Sequence, residues 1–397
     1  MFTKRFVLAF IISSLILSGC GALGPKTVKV VVSLPFGLEF TKDMLNAAQL
    51  ALKNAGGKAG DVTVELLPLT ESEENGDIIS PALAQKNAEQ AVNDPTVVAL
   101  LGPLSSNNAK VEIPILNEAS ITQIASTTTW PGLTKPGYGP GEPGIYYPTG
   151  RRNFFRTVPS DELQGAAAAR WAAQLGYKSA YIIHGIGAYG EGVAGVFENT
   201  AKDLGITILG KDTYPITGDI PSEQIQSIVS HVMDAKPSML YIGGATGENG
   251  EFPIRALREA DANLTIIGPD GVQVDDLIKF LGTDLANNIY ATTVALPAEQ
   301  LGTAAAADFV NSYQTAYGKS PSAYDAATYE AMSVLLYAIG RAKQPTREGV
   351  LDSMQNIGEY SGIFGTWHFD QQGDISFTGI SGMQIQDGKW AFVEALK

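Results

Sequence analysis

The sharpest pattern with chemical meaning in this 397-residue chain is Gly185-Ile186-Gly187-Ala188-Tyr189-Gly190. It follows the apolar run Ala180–His184, opens a helical pattern, and has Asp212 beyond the next strand-like segment. In outline this is a dinucleotide fingerprint, in which glycines let a pyrophosphate approach a helix N-terminus. The motif sits mid-chain, outside the first strand–helix–strand unit, and Asp212 comes late for a ribose contact. A tight strand-to-helix turn needs the same small residues, and that reading is preferred. Other catalytic patterns fail. His184, His231 and His368 are far apart, none lies in an HExxH, and there is no GxSxG elbow and no GxxxxGK followed by Ser or Thr. Cys20 is the single cysteine, so a zinc site would need histidines and carboxylates alone. No enzymatic activity, cofactor or metal is expected.

What remains is a logic of binding. In doubly wound sheets, ligands sit beyond the carboxyl ends of the strands. One predicted strand ends in Gly102-Pro103-Leu104-Ser105-Ser106 and then a helix, placing hydroxyls and free N–H groups where a carboxylate would be held. The next ends in Ser126-Thr127-Thr128-Thr129-Trp130. Later ends supply Tyr189, Gly243–Thr246 and Gly268-Pro269-Asp270-Gly271. A carboxylate at Asp270 opposite a hydroxyl-rich anion site would suit the two charged ends of an α-amino acid. Each Ser or Thr taken singly reads as a cap or turn residue; the case rests on their joint placement.

The elements that must position these residues alternate. Strand-like runs are Val28–Leu34, Val62–Leu69, Val97–Leu101 and Ile121–Ala125, separated by helical patterns at Lys42–Asn54, from Ser80-Pro81 to Asn93, and at Asn108–Ala119. The rhythm restarts after residue 160. Helices are predicted from Ser160 to Leu175, Gly192–Leu204, Ser222–Ala235 and Phe252–Ala260, with strands Ala180–His184, Thr207–Leu209, Met239–Ile242 and Thr265–Ile267. Continuous apolar strands between amphipathic helices imply buried parallel sheets covered on both faces. A strand at Ile289–Val294 and helices at Ala304–Tyr317 and Ala323–Arg341 follow, so the chain is expected to cross between lobes more than once. Between the two series, 11 of the 20 residues Pro131–Gly150 are Pro or Gly, which excludes helix and central strand and reads as a surface loop with incidental tyrosines.

The first twenty residues carry a different message. Lys4 and Arg5 precede the apolar Phe6–Leu17, whose twelve residues would rise about 18 Å as a helix, too short for a hydrocarbon core of about 30 Å. A secretory signal over 1–19 is expected. Leu17-Ser18-Gly19-Cys20 resembles the lipobox of bacterial lipoproteins, which implies acylation of Cys20, a tether over 20–26, and a place outside the cytoplasm anchored to the membrane. There NAD is scarce, which further weakens the dinucleotide reading. The net charge of −14 argues against nucleic acid as a partner. With 45% hydrophobic and 17% charged residues the chain is globular, and its length calls for two domains.

Six segments, in order, resemble the Leu/Ile/Val-binding family of type I periplasmic binding proteins. They are Gly102–Ser106; Ala125–Thr134; Phe155–Gly165, reading FRTVPSDELQG; Ala188–Gly192; Gly268–Gly271; and Phe369–Asp374. The resemblance spans about 27–397. It implies an α/β fold of two doubly wound parallel-sheet lobes joined by three hinge crossovers, with 27–160 and 293–368 in lobe 1 and 161–292 and 369–397 in lobe 2. It also implies a monomer that closes on a small ligand, an amino acid of the branched-chain or a related class, and delivers it to the permease subunits of an ABC importer. A sensory lipoprotein of the same fold, binding an amide or other small organic ligand, is the alternative. Carried over, Ser106 and Thr129 would hold the ligand carboxylate beside Ser105. Thr127 would offer backbone contacts, Phe40 would take the aromatic position after the first strand, Tyr189 would close from the second lobe and Asp270 would pair with the ammonium. Three departures stand out. Asp270 replaces a glutamate one methylene longer, Ala245-Thr246 replace an aromatic wall, and the stretch 136–152 is longer than the usual connection.

Overall fold

The computed structural model describes residues 26–73 and 79–397. The expected signal segment and Cys20 lie outside the described residues.

The first sheet is built from β1 (Thr27–Leu34), β2 (Lys58–Ala59), β3 (Val62–Thr70), β4 (Val97–Leu101), β5 (Thr122–Ala125) and β6 (Phe154–Arg156), with α1 (Glu39–Asn54), α2 (Pro81–Asn93) and α3 (Ser106–Glu118) between them. Its strand order is β2-β3-β1-β4-β5-β6, and only β2 runs antiparallel to its neighbour. β4 reads Val-Val-Ala-Leu-Leu and is buried at every position, as a central strand covered on both faces must be. The predicted start of α2 is found: Ser80 Oγ accepts from Leu83 N, and Pro81 occupies the first turn, where no N–H is needed.

After β6 the chain passes to a second sheet. It comprises α4 (Asp161–Gln174), β7 (Ser179–Gly185), α5 (Ala188–Asp203), β8 (Thr207–Tyr214), α6 (Ser222–Ala235), β9 (Met239–Gly243), α7 (Glu251–Ala260), β10 (Ile266–Gly268), α8 (Asp275–Leu281), α9 (Thr283–Ala286) and β11 (Ile289–Thr293). The chain then returns, and α10 (Ala304–Tyr317), α11 (Ala323–Arg341) and α12 (Arg347–Gln355) follow, α11 against α1 and β5 and α12 against β4 and β5. The short hairpin β12 (Tyr360–Gly362) and β13 (Gly365–Trp367) precedes the last crossing, to β14 (Ile380–Gln386) and β15 (Lys389–Leu396). The second sheet is ordered β15-β14-β11-β10-β9-β7-β8.

Two expectations need correction. The second sheet is not wholly parallel: β14 and β15 are antiparallel to their neighbours. They are joined at Asp387-Gly388, both at positive φ (51° and 72°), the tight-turn geometry that ties two strands into a hairpin. Nor is Pro131–Gly150 a bare surface loop. Leu133, Tyr146 and Tyr147 are buried against Ala109 and Ile113 of α3 and Phe154 of β6. Six buried apolar and aromatic side chains outweigh the local Pro/Gly signal.

The first and third crossings are fastened to each other. Arg156, wholly buried, places Nε 2.7 Å from Asp374 Oδ1 and donates to the carbonyl of Trp130 (2.9 Å) and to Thr134 Oγ1 (2.6 Å). Its backbone N–H reaches Gly373 O at 3.1 Å. Burial works to raise the Asp374 carboxyl, but the Arg156 charge and hydrogen bond hold it below the usual carboxylate range. Removing one partner of such a pair strands the other charge in the interior. Arg156→Met is therefore expected to lower the unfolding free energy by about 3–5 kcal/mol. Urea unfolding checks this, and an unshifted midpoint would contradict it.

Candidate functional site

The carboxyl ends of both sheets face one small cavity. From the first sheet's side come Phe40, Leu104, Ser105, Ser106 and Thr127; from the second, Tyr189, Ala245, Thr246, Glu248, Asp270 and Gly271. Ile79 and Tyr324 complete the wall.

β4 is followed by Gly102, whose φ is +128° and whose Cα lies so near β1 that a Cβ would sit 2.2 Å from Ser33 O. Only glycine permits the close approach that sends the chain into α3. Ser105 is the N-cap of α3, its Oγ accepting from Asn107 N at 3.2 Å. Ser106 Oγ accepts the backbone N–H groups of Thr129 (3.3 Å) and Trp130 (3.1 Å). Both acceptor positions are thereby used, and the hydroxyl proton is left to donate. Thr127 donates its own hydroxyl to Leu104 O at 2.9 Å. This wall is thus a hydroxyl donor at a helix N-terminus, suited to an anionic group.

The opposite wall is acidic. Asp270 begins the turn after β10 and is 3% exposed. Its Oδ1 accepts from Tyr189 OH (2.7 Å) and Gln164 Nε2 (2.9 Å), while Tyr324 OH donates to its carbonyl and lies 3.4 Å from Oδ2. These donors are all neutral. Burial raises the Asp270 carboxyl above its ordinary value, and the bonds from Tyr189 and Gln164 offset part of the rise. Asp161 is buried too, and burial, with the Asp270 charge adding to it, raises its carboxyl well above the ordinary value. Among the described residues, no Lys, Arg or His lines the wall, so the site favours a ligand that brings its own positive charge or donors.

Seven of the eight residues singled out in the sequence meet at this cavity: Phe40, Ser105, Ser106, Thr127, Tyr189, Thr246 and Asp270. Thr129 does not. It lies behind the wall with no exposed surface, its N–H on Ser106 and its carbonyl accepting from Asp161 N at 3.0 Å. It positions Ser106 rather than facing the cavity. Glu248 and Tyr324 were missed. Glu248 follows Gly247 in a glycine-rich stretch that reads as turn, and Tyr324 lies 54 residues beyond its partner Asp270, inside a helix whose periodicity explains it without a site.

The two sides touch across the cavity. Ser105 Oγ donates to Glu248 Oε1, and Asn107 Nδ2 does so at 3.1 Å. Asn107 Oδ1 accepts from Ala188 N, at the start of α5, at 2.9 Å, and Ile79 N reaches Gly247 O at 3.0 Å. Gly187 of the fingerprint-like motif serves this contact, since a Cβ there would lie 2.9 Å from the Asn107 amide, while Gly190 lets α5 lie close on β9, a Cβ there falling 2.6 Å from Gly243 O. The turn is consumed by packing, as the sequence reading preferred. His184, likewise, is nearly buried, with Nδ1 3.0 Å from Gly185 O.

A family model described as periplasmic binding protein matches residues 32–389. The Leu/Ile/Val-binding protein BraC3 of Rhizobium johnstonii is 26% identical over 346 residues, 87% of each chain. The leucine-, isoleucine-, valine-, threonine- and alanine-binding protein of Pseudomonas aeruginosa is 24% identical over 358 residues, 89% of this chain and 88% of that one. Among solved structures, the leucine binding protein LivK from Thermotoga maritima shares the fold with a TM-score of 0.79 at 24% identity, over 93% of this chain and 98% of its own. So does a solute binding protein from R. palustris in complex with benzoate, with a TM-score of 0.75 at 17% identity, over 93% and 96%.

Asn107 spans the cleft with both ends of its amide. Asn107→Ala removes two hydrogen bonds, each contributing about 1 kcal/mol, and leaves Glu248 with one donor fewer. The expected result is a larger radius of gyration for the ligand-free variant in small-angle scattering. An identical scattering curve would mean that Asn107 does not hold the two sides together.

Proposed function

The chain belongs to the periplasmic binding protein family, and from that premise we propose that it is the lipid-anchored solute receptor of an ABC importer, taking an amino acid into the cleft between its lobes. The observation that carries the reading is Asp270: a buried carboxylate served only by neutral donors, facing a hydroxyl-rich helix N-terminus. An α-ammonium placed against Asp270 supplies the missing charge, and an α-carboxylate placed at Ser106 meets a free hydroxyl proton, beside the turn of α3 where Ser105 and Asn107 already hold Glu248. Tyr189 and Tyr324 then orient Asp270 from opposite lobes. Thr127 frames the carboxylate end, and Thr129 acts through Ser106. An aromatic acid without an ammonium fits this wall poorly, because it would bring a second anion to an uncompensated one.

Lobe 1 comprises 27–160 and 293–368, and lobe 2 comprises 161–292 and 369–397, so that the three crossings act as hinges. A ligand that contacts both lobes favours the closed form by its differential affinity, and the closed form is what a permease would read. No helix among the described residues is long and apolar enough to cross a membrane; attachment falls to Cys20. Cys20→Ala is expected to abolish incorporation of labelled fatty acid, and persistent labelling would sink the anchor.

Asp270→Asn keeps the shape of the side chain and removes its charge. It is expected to weaken amino-acid binding by roughly two to three decades, at about 1.4 kcal/mol per decade, because the ligand ammonium would be buried unpaired. Calorimetry on a folded variant reads this directly. Affinity close to that of the unaltered protein would defeat the ammonium assignment.

A further inference from the structure

Two polar groups in the wall of the cavity are left unused by the proposed function. Glu248 is 4% exposed and lines the cavity, yet its hydrogen-bond partners, Ser105 and Asn107, are different residues from those of Asp270. Thr246, two residues earlier, is 6% exposed and lines the same cavity. Its backbone N–H is spent on Gly271 O at 2.9 Å, but its Oγ1 is buried with no partner. A buried hydroxyl left unpaired costs free energy that a ligand can return. Leu104 and Ala245 line the same cavity and offer apolar surface beside these two polar groups.

The geometry points to a ligand side chain that ends in hydrogen-bond donors, a carboxamide, hydroxyl or ammonium, received by the Glu248 carboxylate and Thr246 Oγ1. The inference rests on the amino-acid reading above and names the class within it. A leucine-like side chain would fill the space but bury Glu248 and Thr246 against methyl groups. A site built to hydrogen-bond a polar group rejects an analogue lacking it more strongly than an apolar pocket rejects an added polar group. An acidic side chain would add its carboxylate to Glu248, Asp270 and the ligand's own α-carboxylate, and among the described residues no Lys, Arg or His lines the wall to offset it.

The test is calorimetric titration of the protein, unfolded and refolded to strip carried ligand, with glutamine, threonine, lysine, leucine, isoleucine and glutamate. At least one of the first three is expected to bind tenfold or more tightly than leucine and isoleucine, and glutamate is expected to bind more weakly than that ligand. Thr246→Val removes the hydroxyl at nearly constant shape. It should weaken the preferred ligand by about tenfold, one decade in affinity, while leaving leucine unchanged or improved. Because Glu248 also touches Ser105 and Asn107, Glu248→Leu is read as a ratio: the preference over leucine should shrink or reverse, whatever the absolute affinities do. Tighter binding of leucine or isoleucine than of every donor-bearing ligand overturns this inference alone, as does a preferred-to-leucine ratio unmoved by both variants. Absence of binding by all six overturns the amino-acid reading as well.

Discussion

Burying the Asp270 carboxylate costs free energy that three neutral donors return only in part. Gln164 comes from α4, Tyr189 from the first turn of α5 and Tyr324 from α11, so the shell around one side chain is drawn from both halves of the molecule. Tyr189 is used twice, donating to Asp270 Oδ1 and accepting from Gly271 N at 2.8 Å. That fixes the turn after β10 to the start of α5. Tyr324 reaches over from the first lobe, and its ring lies 5.5 Å from that of Phe40. With the lobes apart, Tyr324 would leave and water would solvate the carboxylate. With the lobes together, the charge needs compensation that the protein does not supply. On the proposed function, an incoming cation would favour closure through the desolvation of this one residue.

The fold exists to bring that residue opposite α3. Parallel strands put their carboxyl ends, and the helix N-termini that follow, on one edge of each sheet. Two such edges face each other only if the chain returns to the first lobe after β11 and leaves it again before β14. The clasp between Arg156 and Asp374 sits where two of these passages run side by side, bridged by the backbone contact from Arg156 to Gly373. An ion pair there costs desolvation, but its directional bonds to Trp130 O and Thr134 Oγ1 specify how the passages lie.

Much of this was legible in the amino-acid pattern because the helices carry their own punctuation. Ser222–Ala235, Ala304–Tyr317 and Ala323–Arg341 are found with the predicted bounds. Thr303 caps α10 and Gly318 closes it at positive φ; Ser322 and Asp325 form a capping box at the start of α11. The site was legible for the same reason: strand ends are where the β-branched runs stop. What escaped depends on contacts between residues remote in sequence. The hairpin of β14 and β15 is a two-residue-turn feature hidden in a mixed, half-exposed segment, and α12 is short and weakly patterned. Thr129 shows the opposite failure. Its place in a row of threonines marks it as a wall residue, but the chain bends after β5, so residues two apart no longer share a face, and of the three threonines only Thr127 lines the cavity.

The long stretch 131–150 acquires a purpose from one tryptophan. Glu142, nearly buried, accepts from Trp130 Nε1 at 3.1 and 3.2 Å and from Tyr146 OH at 2.6 Å, and its Oε1 lies 3.0 Å from Lys110 Nζ. The Tyr146 and Lys110 contacts hold its carboxyl below the usual range against the opposing effect of burial. Gly132 and Gly139 are small because Glu142 lies where their side chains would be. So anchored, Trp130 projects toward α5, where a Cβ on Gly192 would lie 2.2 Å from its ring. The tryptophan belongs to the first lobe and the glycine to the second. Fixed by Glu142 and covered by Lys110, 5.3 Å from its ring, the indole is held against α5 in one orientation. The proline- and glycine-rich stretch is thus a buttress for the contact between Trp130 and α5.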